Sequence, residues 1–152
     1  MDYNVDPWKP LEEFGIKQKI GFTAGAWDLL HAGHILFLRE CRDLCDHLIV
    51  GLHVDPSKER DGKNKPIQSV YERIIQLEAC KYVDSIIPYE TEQELKTIIG
   101  NCNATIRFLG TDYLEQTGRI TGEFILPIGY INRNHNYSTT ELRHRIFKEE
   151  SC

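Results

Sequence analysis

Short apolar runs rich in β-branched residues alternate with helix-forming segments along most of this chain, and that alternation restricts the fold more than any other feature. Ile20 to Ala24 reads as a first strand and His31 to Cys45 as the helix after it. His47 to Val54, HLIVGLHV, is a second strand. Asp55 to Lys65, DPSKERDGKNK, is a charged, glycine-containing loop expected to be mobile. Ser69 caps a helix running to about Tyr82, with Val70, Ile74, Leu77 and Cys80 on one face. Ser85 to Pro88 is a short strand, and the helix from Glu92 to Ile99 ends near Gly100. Thr105 to Gly110 is the next strand, Gly122 to Ile131 supplies at least one more, and Thr139 to Phe147 is a closing helix.

Strands that alternate with helices are joined by crossovers into a parallel sheet covered on both faces. The expected fold class is therefore α/β, a Rossmann-like doubly wound parallel sheet. It forms a single domain over residues 19–152, with residues 1–18 as an N-terminal extension. Such sheets bind ligands beyond the carboxyl ends of their strands, at a topological switch point. Residues 21–34 and the loops after Val54, Pro88 and Gly110 are then expected on one rim.

Composition narrows the partners. With 152 residues, 41% hydrophobic and 27% charged, the chain is ordinary for a soluble globular domain. A net charge of −5 argues against nucleic acid or an anionic membrane as the main partner, though a few clustered cations suffice for a phosphorylated small molecule. No apolar run approaches the roughly 20 residues that span a bilayer. The start, MDYNVDPWKPLEEFG, is acidic and interrupted by prolines, unlike a signal peptide, so a cytoplasmic location with reduced cysteines is expected. Cys41 and Cys45 fit the buried face Ile35, Leu38, Cys41, Cys45 better than a metal site, and no CxxC occurs.

The chemistry is concentrated in GFTAGAWDLLHAGHILFL, Gly21 to Leu38, where His31 and His34 stand at the mouth of an otherwise apolar helix. A helix N-terminus offers unpaired N–H groups and the positive end of a dipole, which suits phosphate. The turn lacks both GxGxxG and GxxxxGK[ST], so neither a glycine cradle nor a P-loop lysine is available. An anion here is left to the imidazoles, with Gly33 keeping the backbone between them open.

Ala26-Trp-Asp-Leu-Leu-His-Ala-Gly-His34 resembles the HxGH signature of the nucleotidyltransferase superfamily in its cytidylyltransferase form, most closely that of the glycerol-3-phosphate cytidylyltransferases. Further matches follow in chain order. Asp28 precedes His31 as in the family's Phe-Asp-Leu-Leu-His, and Lys65, Ser69 and Arg73 match a Lys…Ser…Arg pattern. Lys81-Tyr-Val-Asp84 resembles Arg-Tyr-Val-Asp, and Arg133-Asn-His-Asn-Tyr-Ser-Thr-Thr140 resembles Arg-Thr-Glu-Gly-Ile-Ser-Thr-Thr. The resemblance covers about Lys19 to Phe147.

It implies a cytoplasmic enzyme, a homodimer, that transfers CMP from CTP to a small phosphorylated alcohol such as glycerol 3-phosphate and releases pyrophosphate. His31, His34, Lys65 and Arg133 are the implied catalytic residues. Nucleotide binding is implied for Phe22, Thr23, Ala24, Asp28 and Gly33 around the first turn, and for Arg73, Lys81 and Asp84 further on. Gly110, Asp112, Tyr137, Ser138 and Thr139 complete that set. Mg²⁺ is expected to ride mainly on the phosphates, as that ion prefers, with Asp28 as a candidate ligand.

The chain departs from the family at several places. His135-Asn136-Tyr137 replaces Glu-Gly-Ile, Thr111-Asp-Tyr replaces Asp-Asp-Trp after Gly110, and Lys81 for Arg loses a bidentate fork. Thr139-Thr-Glu-Leu-Arg143 is similar to the Ser-Thr-x-x-Arg ending of related adenylyltransferases. Transfer from ATP, a sugar, choline or ethanolamine phosphate acceptor, and a catalytically silent nucleotide-binding regulator therefore remain alternatives.

Overall fold

The structure is a computed structural model and describes Glu13, Gly15, Gln18–Gln116 and Gly118–Ser151. Apart from Glu13, Gly15 and Gln18, the expected extension of residues 1–18 lies outside the described residues. Five strands form one all-parallel sheet: β1 (Ile20–Gly25), β2 (His47–His53), β3 (Ser85–Tyr89), β4 (Ile106–Gly110) and β5 (Ile128–Ile131). Their order is β3-β2-β1-β4-β5. The chain steps outward from β1 to β3, then returns to the other side of β1 for β4. The switch point thus falls between the ends of β1 and β4, where Rossmann-like sheets leave a crevice.

The strands read as they do because both faces are covered. In β2 the run from Leu48 to His53 is wholly buried, as a parallel strand between two helical layers must be. On one face α1 (Ala32–Asp43) and α2 (Val70–Ala79) contribute Leu38, Cys41 and Leu77 to a core with Leu48, Val50, Leu52, Ile106 and Phe108. On the other face α3 (Glu92–Asn101) packs Leu95 and Ile99 against Phe22, Ile49 and Tyr89. The expected apolar row of α1 is found, with Cys41 and Cys45 inside this core. Burial raises both thiols, Cys45 to about 11, so they serve as small apolar side chains.

Helix starts follow local polar chemistry. Ser69 and Glu72 form a reciprocal capping box on α2, and Thr91 accepts the Glu94 N–H of α3. Ser138 does the same for Glu141 of α4 (Thr139–Glu150), which runs a turn beyond Phe147. Two further boundaries differ from expectation by three residues or more. α2 stops at Ala79, not Tyr82, because Cys80 turns extended (ψ 118) and drops Tyr82 and Val83 onto the core. The strand expected from Gly122 begins only at Ile128; Gly122 takes a positive φ of 69° and starts a series of turns. The Asp55–Lys65 loop opens with a short 3₁₀ turn, Pro56–Lys58, and Arg60 ties it to Glu92 at 2.9 Å. No helix among the described residues is long and apolar enough to cross a membrane.

Candidate active site

Leaving β1, the chain turns through Trp27 and Leu29 with positive φ of 55° and 50°, a conformation bulky side chains rarely adopt. Each such residue costs on the order of 1–3 kcal/mol and persists only when its surroundings over-determine it. Here they do. The Trp27 indole donates to the Gly51 carbonyl at 3.0 Å, and the Leu29 N–H donates to Gln68 Oε1 at 2.8 Å. Between them Asp28 accepts from the Ile67 and Gln68 N–H groups and from Arg143 Nη2, each at 2.9 Å. Burial pushes the Asp28 carboxyl up, but those donors outweigh it and hold it below its ordinary value.

The strained turn delivers His31 to the N-cap of α1. Its Nδ1 accepts the Gly33 N–H at 3.0 Å, while the His31 N–H donates to His34 Nδ1 at 3.3 Å. Two imidazoles thus replace the usual Ser/Glu capping box. With Nδ1 accepting in both rings, each proton sits on Nε2. The rings stack at 3.9 Å between centroids and 24° between planes, with Trp27 against His34 at 5.4 Å. Burial, then neighbouring Arg133 and His135, lowers the His31 pKa. Burial, then His31 and Arg133, lowers that of His34 to about 3. Both are neutral N–H donors at neutral pH. Gly33 is required by the rings themselves: a Cβ there would lie 2.9 Å from His31 Cε1 and 3.0 Å from His135 Cε1.

These groups border a hollow of about 400 Å³ above the switch point. Of the residues singled out in the sequence, His31, Gly33, His34, Thr23, Ala24, Gly110, Asp112, Arg133, Ser138 and Thr139 line it. It is closed on one side by α1 and on the other by the start of α4, where Thr139 Oγ1 lies 3.2 Å from His31 Nε2 and donates to the Asp28 carbonyl. Thr23 Oγ1 donates to the Phe108 carbonyl at 3.1 Å, tying β1 to β4 beneath the hollow. At Gly110 a Cβ would collide with Asp112 Oδ1. Arg133 is braced by donation to the Tyr137 carbonyl at 2.8 Å.

The remaining expected residues lie elsewhere. Phe22 is fully buried in the α3-side core and does not line this hollow. Asp28 has its oxygens committed to three donors, so it acts as a latch between the first turn, the 65–68 segment and α4. Arg73 is buried and spends its guanidinium on the carbonyls of Ala26, His53, Val54, Gln68 and Ser69, which fixes the ends of β1 and β2. Lys81 and Asp84 sit at the amino ends of the strands, the far side of the sheet. There Asp84 accepts the Leu48 N–H and pairs with Arg42, and Lys81 lies 5.2 Å from the Tyr82 ring. Tyr137 stacks on His135 outside the hollow. Lys65 is exposed and does not line the hollow; its carbonyl accepts from Arg143 and its charge acts on Asp55. The lysine that lines the hollow is Lys63.

Sequence reasoning passed over Lys63, Trp27 and His135 as site residues. Trp27 was legible as the aromatic before Asp28, whereas the place of Lys63 in the lining depends on a tertiary loop path. As a metal holder the site offers little. Asp28 is already saturated by N–H donors, which leaves Asp112 as the carboxylate lining the hollow. A His53, Glu59, Glu92 group has ligand atoms within 4.8 Å, but Glu92 is paired with Arg60 and Glu59 accepts the Glu92 N–H. This donor set fits an ion carried by ligand phosphates, for which Asp112 would be the protein carboxylate at hand.

Comparison with known proteins agrees with the geometry. Residues 22–145 match the family model described as cytidylyltransferase-like. The bifunctional protein HldE of Nitrobacter winogradskyi is 37% identical over 151 positions, covering 93% of this chain and 29% of that protein. The ethanolamine-phosphate cytidylyltransferase of Arabidopsis thaliana is 39% identical over 87 residues, covering 55% of this chain and 21% of that protein. This chain thus spans less than a third of the length of these curated relatives. Among solved structures, the lipopolysaccharide core biosynthesis protein of Thermoplasma volcanium superposes with a TM-score of 0.61 at 25% identity, covering 80% of this chain and all of that one. With a site built on the HxGH cap and a family match over most of its length, the chain belongs to the cytidylyltransferase-like family.

Proposed function

We propose that the protein transfers a nucleotidyl group, CMP from CTP, to a small phosphorylated alcohol such as glycerol 3-phosphate. The observation that carries this reading is the stacked neutral pair His31–His34 lining the hollow where the starts of α1 and α4 converge, with both Nε2–H groups unused by the helix cap and that of His31 resting on Thr139 Oγ1 until a ligand takes it. An acceptor phosphate oxygen attacks the α-phosphorus in line. The bond from that phosphorus to the bridging oxygen of the β-phosphate breaks, and pyrophosphate leaves. The acceptor phosphate is already ionised at neutral pH, so no side chain removes a proton.

Catalysis is then alignment and stabilisation of charge building on the phosphate oxygens. His31 and His34 supply directed donors, Arg133 and Lys63 supply positive charge, and Ser138 to Thr140 present a second helix start to the terminal phosphates. Lys65 reaches the same phosphates only if the 55–65 segment shifts. A bound Mg²⁺ would screen phosphate charge, held by the nucleotide with Asp112 alongside. Thr23 and Ala24, near the β1 end, are the part of the first strand that a nucleotide would meet. A cytoplasmic homodimer fits this reading, and the exposed row Ile67, Tyr71, Ile75 is an apolar surface that such a dimer could cover.

Pyrophosphate release tests it directly, with CTP or ATP offered against a panel of phosphorylated alcohols. Turnover with CTP and a polyol phosphate is expected. Turnover with ATP alone would overturn the cytidylyl assignment, and silence with every pair would favour a regulator.

A further inference from the structure

A second hollow of about 400 Å³ adjoins the first across Ala24, Gly25, Ala26, Leu109 and Tyr113. It opens on the β2–β3 side of the switch point, with His53 at the end of β2 and Tyr89 at the end of β3 in its wall. Its size is that of a small-molecule site. Its chemistry is unusual for a space over a sheet. Arg107 is the second residue of β4, where every other residue is Ile, Phe, Leu or Gly, and it is only 5% exposed.

One Arg107 nitrogen, Nη1, donates to the Thr121 carbonyl, but Nε is buried without a hydrogen-bond partner. His53, 4% exposed and stacked on Tyr89 at 4.7 Å, likewise has its Nε2 unmatched. Burying a guanidinium with an unmade donor is costly unless a ligand completes it. Arg60, Lys63 and Arg119 also line the hollow, against the single acid Asp61; Arg60 is offset by Glu92 at 2.9 Å. Lys63 faces both hollows.

We propose that this second hollow seats the body of the acceptor, and that it selects a polyhydroxylated sugar-type phosphate over an alkylammonium phosphate, with Arg107 as the specificity-determining residue. The inference rests on reading the first hollow as the triphosphate site. An acceptor whose phosphate approaches the α-phosphorus from beyond Ala24–Ala26 extends its other end past Lys63 toward Arg107 and His53. Hydroxyl or acidic oxygens there accept from the unmatched Arg107 Nε–H, and a hydroxyl also donates to His53 Nε2, whose ring proton is given to the Glu90 backbone from the other nitrogen. An ammonium head would lie among Arg60, Arg107 and Arg119 with Asp61 as the acid of the lining, while Glu92 and Glu59 beside His53 are engaged by Arg60 and by the Glu92 N–H, and so is disfavoured by charge.

Calorimetric titration in the presence of α,β-methylene-CTP, which cannot turn over, tests the inference. Ribose 5-phosphate is expected to bind more tightly than ethanolamine phosphate by about tenfold or more, the scale set by a charge-assisted contact against a like-charge repulsion. Arg107→Leu is expected to weaken ribose 5-phosphate by about tenfold while leaving the CTP analogue's affinity unchanged, with Arg107→Lys in between. The exposed Arg119→Ala, which leaves the sheet untouched, is expected to shift the sugar phosphate in the same direction by a smaller factor. Equal or tighter binding of ethanolamine phosphate, no binding of the sugar phosphate, or equal losses for both ligands in Arg107→Leu would overturn the proposal. Failure of wild-type protein to bind the CTP analogue would instead bring down the triphosphate reading, and the sugar-phosphate titration would still decide the second hollow.

Discussion

At the residue scale the site rests on one economy: each histidine uses Nδ1 to build the fold and keeps Nε2–H for a ligand. That division separates two variants of His34. Asparagine places an acceptor near the position of Nδ1 and so preserves the cap, but it loses the distal donor; glutamine is closer to Nε2. His34→Asn is expected to stay folded and to lose about a hundredfold or more in kcat, the usual scale for a donor to a developing oxyanion. His34→Gln is expected to recover part of that loss. Steady-state kinetics on both checks the assignment. Equal activity in His34→Asn and wild type would make the ring purely structural.

The depressed His34 pKa also has a sign. Between about 3 in the folded state and the ordinary value near 6.5, the unfolded chain binds the extra proton. The stability that His34 contributes is therefore complete above pH 6.5 and is lost as pH falls toward 3. Thermal melts from pH 7.5 to 4.5 are expected to fall less steeply in His34→Asn than in wild type. His31, shifted in the same direction, keeps part of the slope.

At the scale of elements, the first turn, α2 and α4 are held in register by Asp28, through Ile67, Gln68 and Arg143. Asp28→Asn removes the charge that Arg143 faces and turns an acceptor into a donor. A loss of about 2–4 kcal/mol is expected by urea unfolding, from breaking a buried charge pair that also satisfies backbone groups. Nucleotide KM should rise as α4 loosens; an unchanged unfolding midpoint would deny the latch.

The elements themselves were legible in the sequence wherever cap and period agreed. Ser69 with Glu72 marked α2, and the unbroken apolar run Leu48–Leu52 marked a strand buried on both faces. Gly122 to Leu126 misled because its Phe124 and Ile125 look like strand residues, yet they are exposed on turns. Their apolarity says nothing about pairing.

At the scale of the molecule, the strand order decides what the motifs mean. Residues that follow strands gather at the switch point, as His31, Asp112 and Arg133 do. Lys81 and Asp84 precede β3 and are carried to the opposite end, however closely their pattern resembles a family signature. Arg107 was hidden for the complementary reason, since a lone charge in an apolar strand gives no local hint of the cavity it faces. Lys63 and Lys65 illustrate the same limit, for they stand two residues apart in one exposed loop, yet only Lys63 lines the hollow. Lys63→Ala is expected to lower kcat/KM for nucleotide and acceptor alike by about tenfold or more, and Lys65→Ala by less. Initial rates with each substrate varied in turn check the pair, and a larger effect at Lys65 would show that the 55–65 loop closes differently.

The most direct measurement is a crystal structure of the protein soaked with α,β-methylene-CTP and Mg²⁺. The expected electron density puts triphosphate oxygens within hydrogen-bonding distance of Nε2 of both His31 and His34, with the terminal phosphates at the start of α4. A nucleotide bound anywhere else, or one that leaves both imidazoles untouched, would contradict the account.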